Sequence, residues 1–250
     1  MQSKTMKAAS GESQYLSRRT FLKLTSGAAM TGVFSANLSS SLVYADTLGK
    51  EKRDKMTPDE ILAALKCGNK NFSKGLRTSR NYINEQKVTA KGQYPSAVVL
   101  SCIDSRAPAE VIMDLGIGDI FNARVAGNIA NDDILHSMES ACKLSGAKVV
   151  LVMGHTACGA IKGAIDNAEL GNLTGLLAKI KPAIKATTFK GELSSKNGAY
   201  VDAVAQKNVE LTMTDIRKKS PVLAELESKG MIKIAGAMYN LETATLNFFA

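Results

Sequence analysis

The apolar residues of this chain fall into short runs, separated by longer segments with helical spacing. Four of these runs are predicted to be strands: 97–102 is typical of a strand buried on both faces, 149–153 is the strongest, 120–123 is weaker, and 232–237 is the last. Because helical segments separate them, the strands are predicted to form a mainly parallel central β-sheet flanked by helices, an α/β fold in a single domain.

The segments between the runs carry apolar residues at every third or fourth position, which predicts helices. The first of them begins at Thr57, whose side chain is suited to cap a helix that opens with Pro58 and two acidic residues. The later helical segments are 132–144, 158–186 (two or more helices), 199–219 and 221–230.

The first 45 residues have the organisation of an export signal. Residues 17–23 read Ser-Arg-Arg-Thr-Phe-Leu-Lys, and a weakly apolar stretch follows and ends at Ala45. That order is very similar to a twin-arginine signal. Serine, threonine and glycine make the stretch too polar for a membrane span. We therefore predict a twin-arginine signal peptide at 1–45, recognition of the precursor by the twin-arginine export machinery, and a periplasmic or otherwise exported protein.

Composition and charge add limits to this interpretation. The chain has 250 residues, 45% hydrophobic and 22% charged, as in an ordinary soluble domain, and its four cysteines are too few for a disulfide scaffold. The predicted signal holds five basic residues and one acidic residue, which leaves only +5 of the net charge of +9 for the rest. No nucleic-acid partner is expected. The charged segment 46–56 is predicted to be a flexible linker, and 57–250 a single folded domain.

Two clusters of reactive side chains follow two of the predicted strands. Residues 102–106 read Cys-Ile-Asp-Ser-Arg after the first strand, and residues 154–159 read Gly-His-Thr-Ala-Cys-Gly after the third. Ligands of parallel sheets bind at the carboxyl ends of the strands, so both clusters are expected at one edge of the sheet.

The side chains in these clusters suit a zinc ion. Cys102, His155 and Cys158 offer two thiolates and an imidazole, and three protein donors leave one position open, as in catalytic zinc sites. Asp104 fills that position or accepts a hydrogen bond from a zinc-bound water. Arg106 offers it a bidentate partner that would keep the carboxylate ionised and off the metal.

Other candidate residues are interpreted as structural. Cys67 and Cys142 lie in helical patterns and are predicted to pack in the core. His136 is predicted to be a solvated helix residue, and the basic run 217–219 to be a helix end. A thiol-redox enzyme is not indicated, because no Cys-x-x-Cys pair is present.

Taken together, Cys-x-Asp-x-Arg and His-x-x-Cys resemble the motifs of the β-class carbonic anhydrase family. Residues 108–110 and 124–128 also fit the family pattern, and the resemblance extends from about residue 57 to the end. It implies a parallel sheet with flanking helices and one Zn²⁺ per subunit, bound by Cys102, His155 and Cys158. It further implies that Asp104 and Arg106 form the catalytic dyad of a reversible CO2 hydratase.

The same resemblance implies the substrate site and the assembly. Gln93 matches a glutamine that hydrogen-bonds substrate, and Phe121 and Ala126 match residues that line a small apolar CO2 pocket, often from the neighbouring subunit. Gly159 is placed at the substrate as well. The substrate is CO2 or bicarbonate, and a homodimer or higher even oligomer is expected.

Two alternatives remain open at this point. The same fold and metal would serve a hydrolase of carbonyl sulfide or carbon disulfide, because these molecules share the linear shape of CO2. A non-catalytic zinc-stabilised protein would result if Asp104 closed the site permanently.

Overall fold

Five strands form one sheet in the computed structural model, which describes residues 47–249. Their order across the sheet is β2-β1-β3-β4-β5; the first four are mutually parallel and β5 is antiparallel to β4. The predicted sheet with flanking helices is thus confirmed, and β5 is an edge strand that the apolar runs did not indicate. The strands are β1 (Ala97–Ser101), β2 (Ile120–Arg124), β3 (Val149–His155), β4 (Lys233–Tyr239) and β5 (Leu246–Phe249).

The helices occupy the segments between the strands. The predicted start at Thr57 is a capping box, in which its hydroxyl accepts from the Glu60 backbone at 3.2 Å and the Glu60 carboxylate accepts from the Thr57 backbone at 2.7 Å. Among the described residues, no helix has both the length and the apolar character to cross a membrane. The helices are α1 (Lys50–Lys55), α2 (Pro58–Ser73), α3 (Tyr82–Thr89), α4 (Ala109–Ile112), α5 (Asp132–Glu139), α6 (Gly159–Ile165), α7 (Gly171–Ala178), α8 (Lys181–Ala186), α9 (Gly198–Lys219) and α10 (Pro221–Ser228).

The segment predicted to be a flexible linker is ordered, and that prediction is corrected for residues 47–56. It contains α1, whose Arg53 is only 4% exposed and donates to the Ser145 carbonyl at 2.6 Å. Lys148 donates to the carbonyls of Asp54 and Met56, both at 2.7 Å. Arg53 is therefore buried against backbone carbonyl oxygens, although it lies within a run of charged residues that predicts an exposed segment. The predicted signal peptide, 1–45, lies outside the described residues.

The core lies on both faces of the sheet, which explains the uninterrupted apolar run at 149–153. All seven residues of β3 are buried. Val98 and Leu100 of β1 face a cluster that includes α9, whereas Ala97 and Val99 face a second cluster that includes α2. Side chains of a strand alternate between its two faces. A strand covered by helices on both faces therefore has apolar residues at successive positions.

Candidate metal centre

The carboxyl ends of β1 and β3 bring the two reactive clusters together. Ser101, the last residue of β1, pairs with Met153 of β3, so Cys102 lies level with the last residues of β3. His155 ends β3, and Cys158 immediately precedes α6. Two neighbouring parallel strands thus end side by side, and each passes directly into one of the clusters.

Cys102, His155 and Cys158 converge on one point. One donor atom from each lies within 4.8 Å of the donor atoms of the other two, and the two sulfurs are 4.0 Å apart. All three side chains are buried, at 5%, 1% and 1% exposure. Among the described residues this is the one group of three such side chains close enough to hold a metal ion.

The hydrogen bonds of His155 fit a metal ligand. Its Nδ1 lies 2.9 Å from the Thr156 carbonyl oxygen, which can only accept, so Nδ1 carries the proton and donates. The lone pair is then on Nε2, which is buried and has no hydrogen-bond partner. A buried polar atom without a partner is costly, and a metal ion would satisfy it.

The two sulfurs fit zinc in distance and in charge. Thiolates about 2.3 Å from a tetrahedral Zn²⁺ are about 3.8 Å apart, close to the separation found here. The hydrogen bond between the two sulfurs lowers the pKa of Cys102 and raises that of Cys158, because the pair holds one negative charge readily and a second with difficulty. A bound dication would offset the second charge. The donor set therefore fits zinc.

Asp104 lies beside the three donors and is held by Arg106. The Arg106 guanidinium donates from Nε to Oδ1 at 3.0 Å and from Nη2 to Oδ2 at 2.8 Å, and the Arg106 backbone N–H donates to Oδ1 at 2.9 Å. These hydrogen bonds hold the pKa of Asp104 well below its ordinary value, although partial burial raises it. Oδ2 lies 3.9 Å from Nε2 of His155. An ionised carboxylate thus faces the metal site while its oxygens remain paired with Arg106.

Three residues support this site and were not singled out for that role from the sequence. The Arg124 side chain donates to the carbonyls of Cys102, at 2.9 Å, and Asp104, at 2.6 Å. Asp202 accepts from the Ala157 backbone at 2.9 Å. Asn208, also on α9, donates to the Gly127 carbonyl at 2.8 Å. Arg124 falls inside a segment that fitted the family pattern, but the two α9 residues follow an ordinary helical pattern and carry no local signal.

Two of the four predicted substrate residues, Ala126 and Gly159, lie around this edge of the sheet. Ala126 begins a 3₁₀ turn after β2, and the next residue, Gly127, donates its backbone N–H to Cys102 Sγ at 3.4 Å. Gly159 begins α6, and a Cβ added there would meet no atom within 4 Å. Phe121 is half-buried on β2 and is in register with Val98, so it lies near the start of β1 and not at the end that leads into Cys102.

Gln93 is not brought to the metal site within one chain. It precedes β1, whereas Cys102 follows β1, so the two residues lie at opposite ends of that strand. Gln93 is exposed and lines a cavity with Gly118 and Ile120 at the amino-terminal end of the sheet. A strand rises about 3.3 Å per residue, so the length of β1 separates Gln93 from the three candidate zinc ligands.

The residues interpreted as structural behave as predicted with one exception. His136 is exposed on α5, Cys142 is buried, and residues 217–219 form the last turn of α9. Cys67 is exposed on α2, so its predicted place in the core is wrong. Helical spacing places it in α2, but it lies beside Lys66 on the outer side of that helix, whereas Ile61 and Leu65 face the core.

Comparison with known proteins agrees with this site. The sequence profile described as carbonic anhydrase matches residues 97–246, more than half of the chain. This chain belongs to the carbonic anhydrase family. Carbonic anhydrase 2 of Mycobacterium tuberculosis is 31% identical over 181 residues, which cover 72% of this chain and 86% of that protein. The carbonic anhydrase of Mycolicibacterium smegmatis is 32% identical over 186 residues, covering 71% and 86%.

Solved structures show the same fold. A tetrameric β-carbonic anhydrase of the filamentous ascomycete Sordaria macrospora superposes with a TM-score of 0.59 at 22% identity, covering 77% of this chain and 98% of that one. The β-carbonic anhydrase CafA of Aspergillus fumigatus gives a TM-score of 0.58 at 25% identity, covering 76% and 91%. The fold is therefore that of the β-class. β-Carbonic anhydrases are zinc enzymes, in agreement with the donor set of Cys102, His155 and Cys158.

Proposed function

We propose that this carbonic anhydrase hydrates CO2 reversibly to bicarbonate and a proton at one Zn²⁺ per subunit, bound by Cys102, His155 and Cys158. The observation that carries the assignment is the convergence of these three buried donors beside an ionised Asp104. Three protein ligands are the arrangement of catalytic zinc, whereas structural zinc has four.

The residues around the metal have separate roles. When bound, Zn²⁺ supplies the Lewis acidity that makes water a nucleophile near neutral pH. Asp104, kept ionised by Arg106, would accept a hydrogen bond from that nucleophile and so orient it towards CO2. Arg106 keeps the carboxylate in one orientation through its bidentate contact. His155 is fixed in one tautomer by the Thr156 carbonyl.

The substrate is small and apolar, and the proposed pocket matches it. Ala126, next to Gly127, and Phe121 from a neighbouring subunit would offer apolar surface, and Gly159 adds no side chain where it borders open space. Binding of CO2 therefore depends on shape and on the nearby nucleophile rather than on charged groups.

We further propose that a second copy of the chain completes the site, in a homodimer or higher even oligomer. Gln93 lies at the far end of β1 from its own zinc ligands, so it contacts substrate only in another subunit's site. Ile83 and Val88 of α3, the helix that precedes Gln93, are 70% and 61% exposed, which suits a contact surface. The Sordaria proteins are tetrameric.

Export by the twin-arginine route is the remaining part of the proposal. It is supported by Ser-Arg-Arg-Thr-Phe-Leu-Lys at 17–23. This route carries folded proteins, so the thiolates of Cys102 and Cys158 would bind zinc in the reducing cytosol before export. Replacing both arginines by lysine should keep the protein in the cytoplasmic fraction, and an unchanged distribution between fractions would contradict this route.

The deciding experiment measures CO2 hydration by stopped flow together with zinc content. We expect about one zinc per chain and rapid hydration that is lost with the metal in Cys158→Ser. Carbonyl sulfide and carbon disulfide are assayed in parallel. Faster turnover of either would favour the hydrolase, and zinc without turnover of any substrate would favour a structural role.

A further inference from the structure

The peptide between two of the proposed zinc ligands has an unusual backbone conformation. Only Thr156 and Ala157 separate His155 from Cys158. Ala157 has φ +55°, in the left-handed region that residues with a Cβ rarely adopt. The chain passes from strand to helix here, between two donors that finish within 4.8 Å of each other.

Asp202 supports this conformation from a neighbouring helix. Its Oδ1 accepts a hydrogen bond from the Ala157 backbone N–H at 2.9 Å. Hydrogen bonds to an ionised acceptor are stronger than those between neutral groups. A carboxylate is thus directed at the one residue of the peptide whose backbone is strained.

The carboxylate itself is held on a rigid element. Asp202 lies in α9, and the adjacent Val201 and nearby Val204 are fully buried at 0% exposure. This helix packs against β3, the strand that ends in His155. The distance between the acceptor and the strand is therefore fixed by core packing.

We propose that Asp202 is a positioning residue for the zinc site, which holds Ala157 in the left-handed conformation and so fixes the spacing of His155 and Cys158. This inference rests on the proposed ligand set. Without the acceptor, Ala157 relaxes towards negative φ and moves Cys158 away from the other two donors. Supporting contacts of this kind typically change metal affinity by about 10- to 100-fold.

The test measures how fast full-length, metal-loaded protein releases zinc to a chromophoric chelator. We expect Asp202→Ala to release zinc about 10- to 100-fold faster than the native protein. Asp202→Asn keeps an oxygen acceptor, so its rate of zinc release should stay within a few-fold of the native rate. The matched control is Asp215→Ala on the same helix, which removes an exposed partner of Lys219 and should release zinc at the native rate.

Two further variants test the backbone conformation directly. Glycine adopts positive φ without steric cost, so adding Ala157→Gly to Asp202→Ala should restore much of the slow release. Ala157→Val disfavours positive φ while leaving Asp202 in place, so it should release zinc faster even if Asp202→Ala does not fold. If Asp202→Ala only destabilised the fold as a whole, adding Ala157→Gly would not restore slow zinc release.

The outcomes separate this inference from the proposed function. Native release rates in Asp202→Ala and Ala157→Val, or a double variant as fast as Asp202→Ala, would overturn the role of Asp202. A native protein that binds no zinc would instead contradict the proposed function itself.

Discussion

The Arg106 guanidinium holds both carboxylate oxygens of Asp104, at 3.0 and 2.8 Å, and leaves Oδ2 only 3.9 Å from the Nε2 of His155. The carboxylate is therefore ionised, oriented and next to the metal site without being one of the three converging donors. The sequence left two roles open for Asp104, zinc ligand or hydrogen-bond acceptor. Its contacts in the structure are those expected of the acceptor.

Asp104→Ala should therefore keep zinc and lose activity. We expect kcat/KM for CO2 hydration to fall about 100- to 1000-fold, because the nucleophile loses its oriented acceptor. Stopped-flow rates and zinc content are measured together, with Asp132→Ala, an exposed residue of α5, as the control. Loss of zinc would make Asp104 a ligand, and an unchanged rate would remove it from the mechanism.

Mixing two inactive variants tests whether Gln93 serves the other subunit. Cys158→Ser lacks zinc, and Gln93→Ala lacks the substrate contact. A mixed dimer pairs an intact metal site with the partner's intact Gln93, so random mixing should restore about a quarter of native sites. The double variant Cys158→Ser/Gln93→Ala mixed with Gln93→Ala is the control. No recovery in the first mixture would mean that Gln93 does not act across subunits.

The four cysteines should differ sharply in reactivity. Cys67 is exposed, whereas burial raises the pKa of Cys142 to about 12 and keeps it as an unreactive thiol. Brief alkylation of the zinc-loaded protein should therefore label Cys67 alone, as read by mass spectrometry, and Cys67→Ser should take no label. Rapid labelling of Cys142 would show that the region around it is more open than the structure indicates.

The ion pair between Arg217 and Glu227 should make stability depend on acid pH. Burial raises the pKa of Glu227, but hydrogen bonds from Arg217, at 2.7 and 2.8 Å, and from the Ile234 backbone outweigh it and lower the pKa below the ordinary 4.5. The stabilisation is therefore present above the unfolded-state value and is lost as the pH falls through the lower folded-state value.

Glu227→Gln tests that dependence by chemical denaturation. We expect a loss of about 1 kcal/mol in the free energy of unfolding at pH 7, since the pair is partly exposed to solvent. The difference in the free energy of unfolding between Glu227→Gln and the native protein should be smaller at pH 3. Glu225→Gln, in an exposed pair with Lys229, is the control. A difference that stays constant between the two pH values would contradict the ionic origin of the effect.

Local pattern was sufficient for much of the fold. The uninterrupted apolar run at 149–153 predicted a buried strand, and Thr57 with the acidic residues after it predicted a helix start; the structure confirms both. Edge strand β5 was missed because its short run has no such pattern. Helix α1 was missed because a single buried arginine does not differ in sequence from its exposed neighbours.

The sequence by itself determined which side chains are candidates to hold the metal, because cysteine and histidine in these positions follow two strands that end at one edge of a parallel sheet. Only the tertiary structure decided what fixes those side chains in place. Asp202 and Asn208 reach the site from α9, which begins at Gly198, well after Cys158 in the chain. Gln93 is separated from the candidate zinc ligands of its own chain by the length of β1. Contacts between residues so far apart in sequence depend on how the elements pack, and no local pattern records that.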